Sequence, residues 1–332
     1  MMMKDLQKMS VNFKSVWRTA KRLAAPLLLA LLAPTLASAA DPVVLRVGDI
    51  SYYNLRASAE LSKAFEGAPY KVEWSQFQAG APLIEALNAG AIDLGFLGDS
   101  AFLFAASKSS TIKLIGVSRQ SPGTIAFLVP ANSTAKTIAD LKGKKVAYWP
   151  GNWGQQLTNA SLEKAGLPKE HVQWVKLLPI DASSAFQGGS VDAYPVWEPY
   201  VSQQVVRSGA RVLFTAEGLI PGLSAIAAYA PSVESKRAAV ADFFVRIARA
   251  RAWVEANVDT YADAWAQRNN LDQDVSRRWI RQSKQTVAPI DAAAQAQFQS
   301  TADFLLKEGV LTTPFNVRNV ADNSFSTSLQ TR

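Results

Sequence analysis

The chain has 332 residues, a formal net charge of +8, no cysteine and one histidine. That length accommodates one large or two medium domains with a real core. Without cysteine there are no disulfides, thiolate metal sites, cysteine nucleophile or lipid-modified N-terminal Cys, and a single histidine disfavours the usual metal clusters and a Ser–His–Asp triad.

Residues 1–40 read as a secretion signal. Lys4, Lys8, Lys14, Arg18, Lys21 and Arg22 form a basic n-region, residues 23–36 are apolar, and Ala37-Ser38-Ala39 is a small-residue cleavage site. The apolar run is too short for a permanent anchor, and the absence of an Arg-Arg pair points to general secretion. The expected mature chain starts near Ala40 or Asp41 and lies in the periplasm. Removing 1–40 takes six basic residues and one acidic residue, leaving a formal charge of +3. No later basic run has binding length, so nucleic acid is not an expected partner.

In chain order, residues 43–47 are apolar enough for a buried strand, and 48–53 form a loop ending in Tyr52 and Tyr53. A helix follows to Phe65, then a strand over 70–74. Pro82 suits a first helical turn, Leu83, Ala86 and Leu87 recur at helical spacing, and Gly90 closes that helix. Residues 92–96 predict a short buried strand. Gly98-Asp99-Ser100 then opens an apolar helix, presenting backbone N–H groups suited to an anion. Strands over 112–117 and 125–129 flank a polar turn containing Arg119. The strand–helix alternation predicts a parallel doubly wound sheet.

A second unit follows. Thr137 caps 138–141, residues 144–148 form a strand, and 149–154 form a glycine-containing loop. A helix over 155–165, a strand over 172–177 with His171 on the surface just before it, and a short helix capped by Asp181 come next. Residues 191–195 form a strand, 197–207 a helix started by Glu198-Pro199, and 211–214 a strand. The apolar segment 224–229 returns to the first unit. Beyond Pro231 the pattern is helical, with Val240, Phe243, Phe244, Ile247 and Val254 on one face. The tail from Pro314 is polar and expected to drape over the surface. The expected domains are 41–127 and 229–332 as a discontinuous first lobe, and 128–228 as an inserted second lobe.

Three stretches carry a resemblance to a known family. The first is Gly80, Leu83, Glu85-Ala86-Leu87-Asn88-Ala89-Gly90, Ile92-Asp93-Leu94-Gly95 and Gly98-Asp99. The second is Ala139-Asp140-Leu141-Lys142-Gly143-Lys144-Lys145-Val146-Ala147. The third is Asp181-Ala182, Ala185-Phe186-Gln187-Gly188, Val191-Asp192-Ala193-Tyr194 and Trp197-Glu198-Pro199-Tyr200. They resemble the substrate-binding proteins of ABC importers, specifically the alkanesulfonate-binding kind within the nitrate, taurine and sulfonate group. The resemblance implies a type II periplasmic binding protein: two doubly wound α/β lobes, a hinge of two crossover strands, and closure on a ligand. It also implies docking on an inner-membrane permease, as a monomer, without cofactor or metal.

Two helix starts suit an ionised head group, Gly98-Asp99-Ser100 on one lobe and Gly151, Asn152, Trp153, Gly154 and Gln155 on the other. The family often has serines and a histidine in the second turn, and this chain has amides and an indole there instead. Arg119 is a candidate for added charge. Tyr52, Tyr53, Trp153, Tyr194 and Trp197 are candidates for the wall around the organic part, and Glu198 for an amine or hydroxyl on the ligand. The expected ligand is an organic sulfonate or sulfate ester with an apolar or aromatic body. Taurine, nitrate or another small anion, a sensor role at a membrane receptor, and a periplasmic hydrolase are the alternatives.

Overall fold

The computed structural model describes residues 42–50, 54–77, 80–326 and 328. The expected secretion signal, Tyr52 and Tyr53 lie outside these residues. The first segment runs β1 (Val43–Asp49), α1 (Asn54–Leu61), β2 (Tyr70–Gln76), α2 (Gly80–Asn88), β3 (Leu94–Gly98), α3 (Asp99–Ala106) and β4 (Ile112–Arg119). The second runs β5 (Ile125–Val129), β6 (Lys145–Tyr148), α4 (Trp153–Lys164), β7 (Gln173–Lys176), α5 (Pro179–Gln187), β8 (Tyr194–Trp197), α6 (Tyr200–Ser208) and β9 (Arg211–Thr215). The last runs β10 (Leu223–Tyr229), α7 (Ala230–Ser235), α8 (Arg237–Ala256), α9 (Val258–Asn269), α10 (Gln273–Ser283), β11 (Thr286–Ala288) and α11 (Ala292–Lys307).

The six-stranded sheet has the order β11-β4-β10-β3-β1-β2. Its strands β1, β2 and β3 are parallel, whereas β10 runs antiparallel between β3 and β4. In the other group β5 runs antiparallel between β8 and β9, β6 is parallel to β7, and a parallel bridge joins Val146 to Ala193 beside β8. The two groups therefore share one plan. In each, a strand arriving from the other group is inserted antiparallel beside the third parallel strand. This explains the departure from an all-parallel sheet: a crossover strand enters from the opposite side and has to run backwards. β5 and β10 are the two crossovers. The segments that lead into them are tied, Gln120 N donating to Gly222 O at 3.1 Å, and Ser121 N donates to Ser283 O at the end of α10 at 2.8 Å.

Each sheet is covered on both faces, as parallel strands require. Leu83, Leu87, Phe102, Leu103, Phe298 and Leu305 of α2, α3 and α11 cover one face of the larger sheet. Leu55, Val240, Phe243, Phe244 and Ile247 of α1 and α8 cover the other. In the smaller lobe, Leu157 and Leu162 of α4 pack with Ile125, Phe127 and Val146, while Phe186 and Val201 pack on the opposite face.

Four local readings change. Helix α1 ends at Leu61, before Phe65. Helix α5 starts at Pro179, so Asp181 sits in the first turn and does not cap it. Trp197 closes β8 and α6 starts only at Tyr200. The tail does more than drape: Val317, Val320 and Phe325 are buried, and Ala321 bridges Leu114. Phe325 packs on Phe244 with ring centroids 5.8 Å apart, and the Arg237 guanidinium lies over its outer face. Truncating a buried phenylalanine costs about 3–5 kcal/mol. We expect that loss for Phe325→Ala in urea unfolding; a cost below about 1 kcal/mol would show that the tail adds nothing to the core.

Candidate functional site

Open parallel sheets bind ligands beyond the carboxyl ends of their strands. Six helices begin at such ends: α1 after β1, α2 after β2, α3 after β3, α4 after β6, α5 after β7 and α6 after β8. A helix start carries N–H groups without intrahelical partners and a partial positive charge. Three of these starts, those of α1, α3 and α6, already hold a buried carboxylate. Asp49 accepts from Leu55 N at 2.9 Å and Arg56 N at 3.1 Å. Asp99 accepts from Ser100 N at 2.7 Å. Glu198 accepts from Ser202 N at 2.9 Å and from Ser202 Oγ at 2.7 Å.

The α4 start is capped by an amide instead. Asn152 caps α4 by accepting from Gln155 N at 2.9 Å, and the Gln155 side chain accepts from Gly151 N at 2.7 Å. This reciprocal cap leaves the N–H groups of Trp153 and Gly154 without a partner among the described residues. Two glycines permit the turn. Gly151 has φ +75°, and a Cβ on Gly154 would lie 2.4 Å from the Pro195 carbonyl oxygen.

Asp99 fastens the two lobes here. It is fully buried, accepts from the Trp153 indole N–H at 2.7 Å across the lobe interface, and accepts from Thr301 Oγ1 of α11 at 2.8 Å. Gln156 Nε2 approaches Thr301 Oγ1 at 3.4 Å. The Trp153 ring packs edge-to-face on Trp197 at 6.0 Å and lies over Gly98. A second inter-lobe tie runs from Gln155 Nε2 to Glu308 at 3.2 Å, and Lys169 pairs with the same carboxylate.

The structure thus brings together Gly98, Asp99 and Ser100 with Asn152, Trp153, Gly154, Gln155 and Trp197. It keeps three other candidates apart from that group. The Tyr194 ring is core, and its hydroxyl donates to Pro179 O at 2.6 Å. Glu198 is buried and committed to Ser202. Arg119 pairs with Asp291 at 2.9 Å, beside a cavity of about 450 Å³ between the two crossovers. Thr301, Gln156 and Glu308 were not foreseen. For Thr301 the signal was a hydroxyl on the otherwise apolar stripe Phe298, Ala302, Leu305. Among the described residues no group of His, Cys, Asp or Glu is placed to hold a metal ion.

A two-lobed α/β fold joined by two crossover strands is that of the periplasmic binding proteins. The chain belongs to the NMT1/THI5-like family, whose pattern it matches over residues 65–257. It is 31% identical over 287 residues to an aliphatic sulfonates-binding protein of Escherichia coli (strain K12), covering 85% of this chain and 89% of the relative. A Bacillus subtilis (strain 168) relative of the same description is 31% identical over 266 residues, 79% of each chain. The crystal structure of the periplasmic aliphatic sulphonate binding protein SsuA from Escherichia coli superposes with a TM-score of 0.79 at 31% identity, covering 84% of this chain and 92% of that one. SsuA from Xanthomonas axonopodis pv. citri, bound to MOPS, gives 0.76 at 29%, covering 86% and 99%. The desulfurization enzyme DSZB shares the fold alone, at 15% identity.

Burial pushes the Asp99 carboxyl up to about 6, because its hydrogen bonds all come from neutral groups and do not offset the lost solvation. Burial likewise pushes Asp49 and Glu198 to about 7. A raised carboxyl favours the fold while it is protonated. Its contribution is complete below the unfolded value of about 4 and is lost as pH rises through the folded value. For Asp99 the window runs from about 4 to 6, at about 1.4 kcal/mol per pH unit. Asp99→Asn keeps an acceptor for the indole and cannot ionise. Relative to the unsubstituted protein, it should gain stability progressively from pH 4 to 6 and hold that gain above; parallel pH profiles of urea unfolding would refute this assignment.

Proposed function

We propose that this chain is an extracytoplasmic solute-binding protein that delivers an organic sulfonate or sulfate ester to the permease of an ABC importer. The observation that carries the ligand class is the start of α4, where an amide caps the helix and the N–H groups of Trp153 and Gly154 have no partner among the described residues. A sulfonate stays ionised, so such a seat holds it without proton transfer, each charge-assisted hydrogen bond contributing roughly 1.5–3 kcal/mol. The relatives named for aliphatic sulfonates support the same class. In this reading Asn152, Gly154 and Gln155 shape the seat, Trp153 and Trp197 wall it, and the Gly98–Ser100 turn faces it from the other lobe. Tyr52 and Tyr53, which fall between β1 and α1 in the sequence, are further candidates for that wall. Residues 1–40 direct export to the periplasm, and the protein acts as a monomer without catalysis.

The lobes exchange the chain at 120–124 and 216–222 in this proposal, a few residues before the borders read from the sequence, because β5 and β10 are whole strands of single sheets. These crossings form the hinge, and a ligand touching both lobes favours the closed form. The test is a melting screen of the exported chain against alkanesulfonates, sulfate esters, taurine, nitrate and sulfate, followed by calorimetry. A ligand at about 100 times its Kd raises stability by about 2.7 kcal/mol. We expect organic sulfonates to bind more tightly than inorganic sulfate, and Asn152→Ala to weaken short and long sulfonates alike. Tightest binding to sulfate or nitrate, or no binding of any sulfonate, would overturn the reading.

A further inference from the structure

We propose that Glu308, at the C-cap of α11, is a positioning residue of the anion seat: from the other lobe it fixes the Gln155 amide, and through that amide the Gly151 turn from which α4 starts. The inference rests on the reading of the α4 start as an anion seat and adds the residue that sets its shape.

The Gln155 side chain is held at both ends. Its Oε1 accepts from Gly151 N at 2.7 Å, and its Nε2 donates to Glu308 Oε2 at 3.2 Å. The two ends are not interchangeable. A backbone N–H only donates and a carboxylate only accepts, so the amide oxygen has to face Gly151 and the amide nitrogen Glu308. A relay thus runs from the larger lobe, through one side-chain amide, to backbone next to the unpartnered N–H groups of Trp153 and Gly154. The other Glu308 oxygen takes Lys169 Nζ, also of the smaller lobe, and the Glu308 side chain is only 9% exposed.

The rest of that α11 face meets the same turn. Thr301, Leu305 and Glu308 recur at the spacing of one helix face. Gln156 Nε2 lies 3.4 Å from Thr301 Oγ1, and a Cβ on Gly151 would lie 3.2 Å from Leu305 Cδ2 and 3.3 Å from Val310 Cγ1. Gly151 is buried at φ +75°. Glycine has the widest choice of backbone angles, so it keeps one set only while its neighbours enforce it. Without Glu308 the Gln155 amide is free to turn away, and Gly151 N loses its acceptor. The donors two and three residues further on then have to be ordered by the ligand itself, and ordering on binding costs affinity. Leu305 covers the larger sheet and Leu157 of α4 the smaller one, so the relay closes only when the lobes meet. The seat takes its final shape on closure.

A hydrogen bond to a charged group changes an equilibrium constant by roughly ten- to a hundredfold. Acting through Gln155, Glu308 belongs at the lower end of that range. The experiment measures methanesulfonate and octanesulfonate binding by calorimetry, and exchange of the Gly151 amide proton by NMR. The proteins are the unsubstituted chain, Glu308→Ala, Glu308→Gln, Gln155→Ala and the double variant of Glu308→Ala with Gln155→Ala, and urea unfolding checks that each folds. Glu308→Gln keeps an acceptor for Gln155 and gives up the ion pair with Lys169. We expect Glu308→Ala to weaken both sulfonates about tenfold and to speed Gly151 exchange. Glu308→Gln should restore binding to within about threefold, and the double variant should bind no worse than Gln155→Ala alone. A loss below about twofold in Glu308→Ala, or additive losses in the double variant, would overturn the positioning role. So would a Glu308→Gln as weak as Glu308→Ala, which would assign the loss to the ion pair. If neither sulfonate binds the unsubstituted chain, the sulfonate reading fails and Gly151 exchange alone decides. Faster exchange in Glu308→Ala but not in Glu308→Gln would then keep the relay, and equal exchange in all three would end it.

Discussion

Each lobe carries a strand that the other lobe sends it, and most of the architecture follows from that exchange. β10 lies between β3 and β4 and is bonded along both edges, and β5 lies in the same way between β8 and β9. Neither crossover can be withdrawn without breaking two ladders. The exchange also fixes orientation. Because each crossover runs antiparallel to the third parallel strand beside it, the carboxyl ends of both parallel sets face the point where the chain crosses. The turns that follow β3 and β6 therefore meet, which the Trp153–Asp99 hydrogen bond records directly. Thr301 of α11 completes that contact from a segment some two hundred residues downstream of Asp99.

Electrostatics then separate the α4 start from those of α1, α3 and α6, which are alike in topology. A buried carboxylate on a helix start gains from the dipole and from backbone N–H groups, yet loses its water. At Asp49, Asp99 and Glu198 the loss is the larger effect, and each carboxyl is raised. A negatively charged ligand would meet repulsion at those turns unless they were protonated. Asn152 supplies the capping geometry at α4 without the charge. Asn152 thus stands where Asp49, Asp99 and Glu198 stand at the other three turns, with the same capping chemistry and no charge. An amide in place of the acid weakens that cap little, since Asn and Asp rank together at this position.

Much of this frame is legible in the sequence because it rests on local rules. The strand leading to Gly98, the helix opened near Pro82 and closed at Gly90, and the buried stripe of α8 all follow from apolar spacing and from glycine and proline chemistry. The amide-rich turn after Tyr148 stands out for the same reason. What escapes local reading depends on partners distant in sequence. β11 has three residues and exists because β4 offers it an edge. Phe325 looks like an isolated aromatic in a polar tail until Phe244 is placed beneath it. Asp99 reads as a turn residue, and only the arrival of Trp153 and Thr301 turns it into a contact between lobes. The antiparallel course of β10 also depends on where its chain has come from, which spacing does not record.

Two buried aspartates, six residues apart, show how the same side chain serves permanence or release. Asp93 accepts from the Arg46 guanidinium at 2.6 Å, from Lys236 at 2.7 Å and from Ser232 at 2.7 Å. Burial alone would raise its carboxyl, and the bonds from Arg46, Lys236 and Ser232 reverse that and hold it at about 2. All of these partners lie on the larger sheet or its helices, so Asp93 rivets elements that stay together. Asp99 is as deeply buried, but its partners are an indole, a hydroxyl and its neighbour Ser100. Breaking the Asp93 contacts strands two cations and an anion, whereas parting Asp99 from Trp153 lets water restore what burial removed. A buried ion pair suits the inside of a lobe. A buried carboxylate with neutral donors costs less to part, because the solvation regained offsets much of the bond given up.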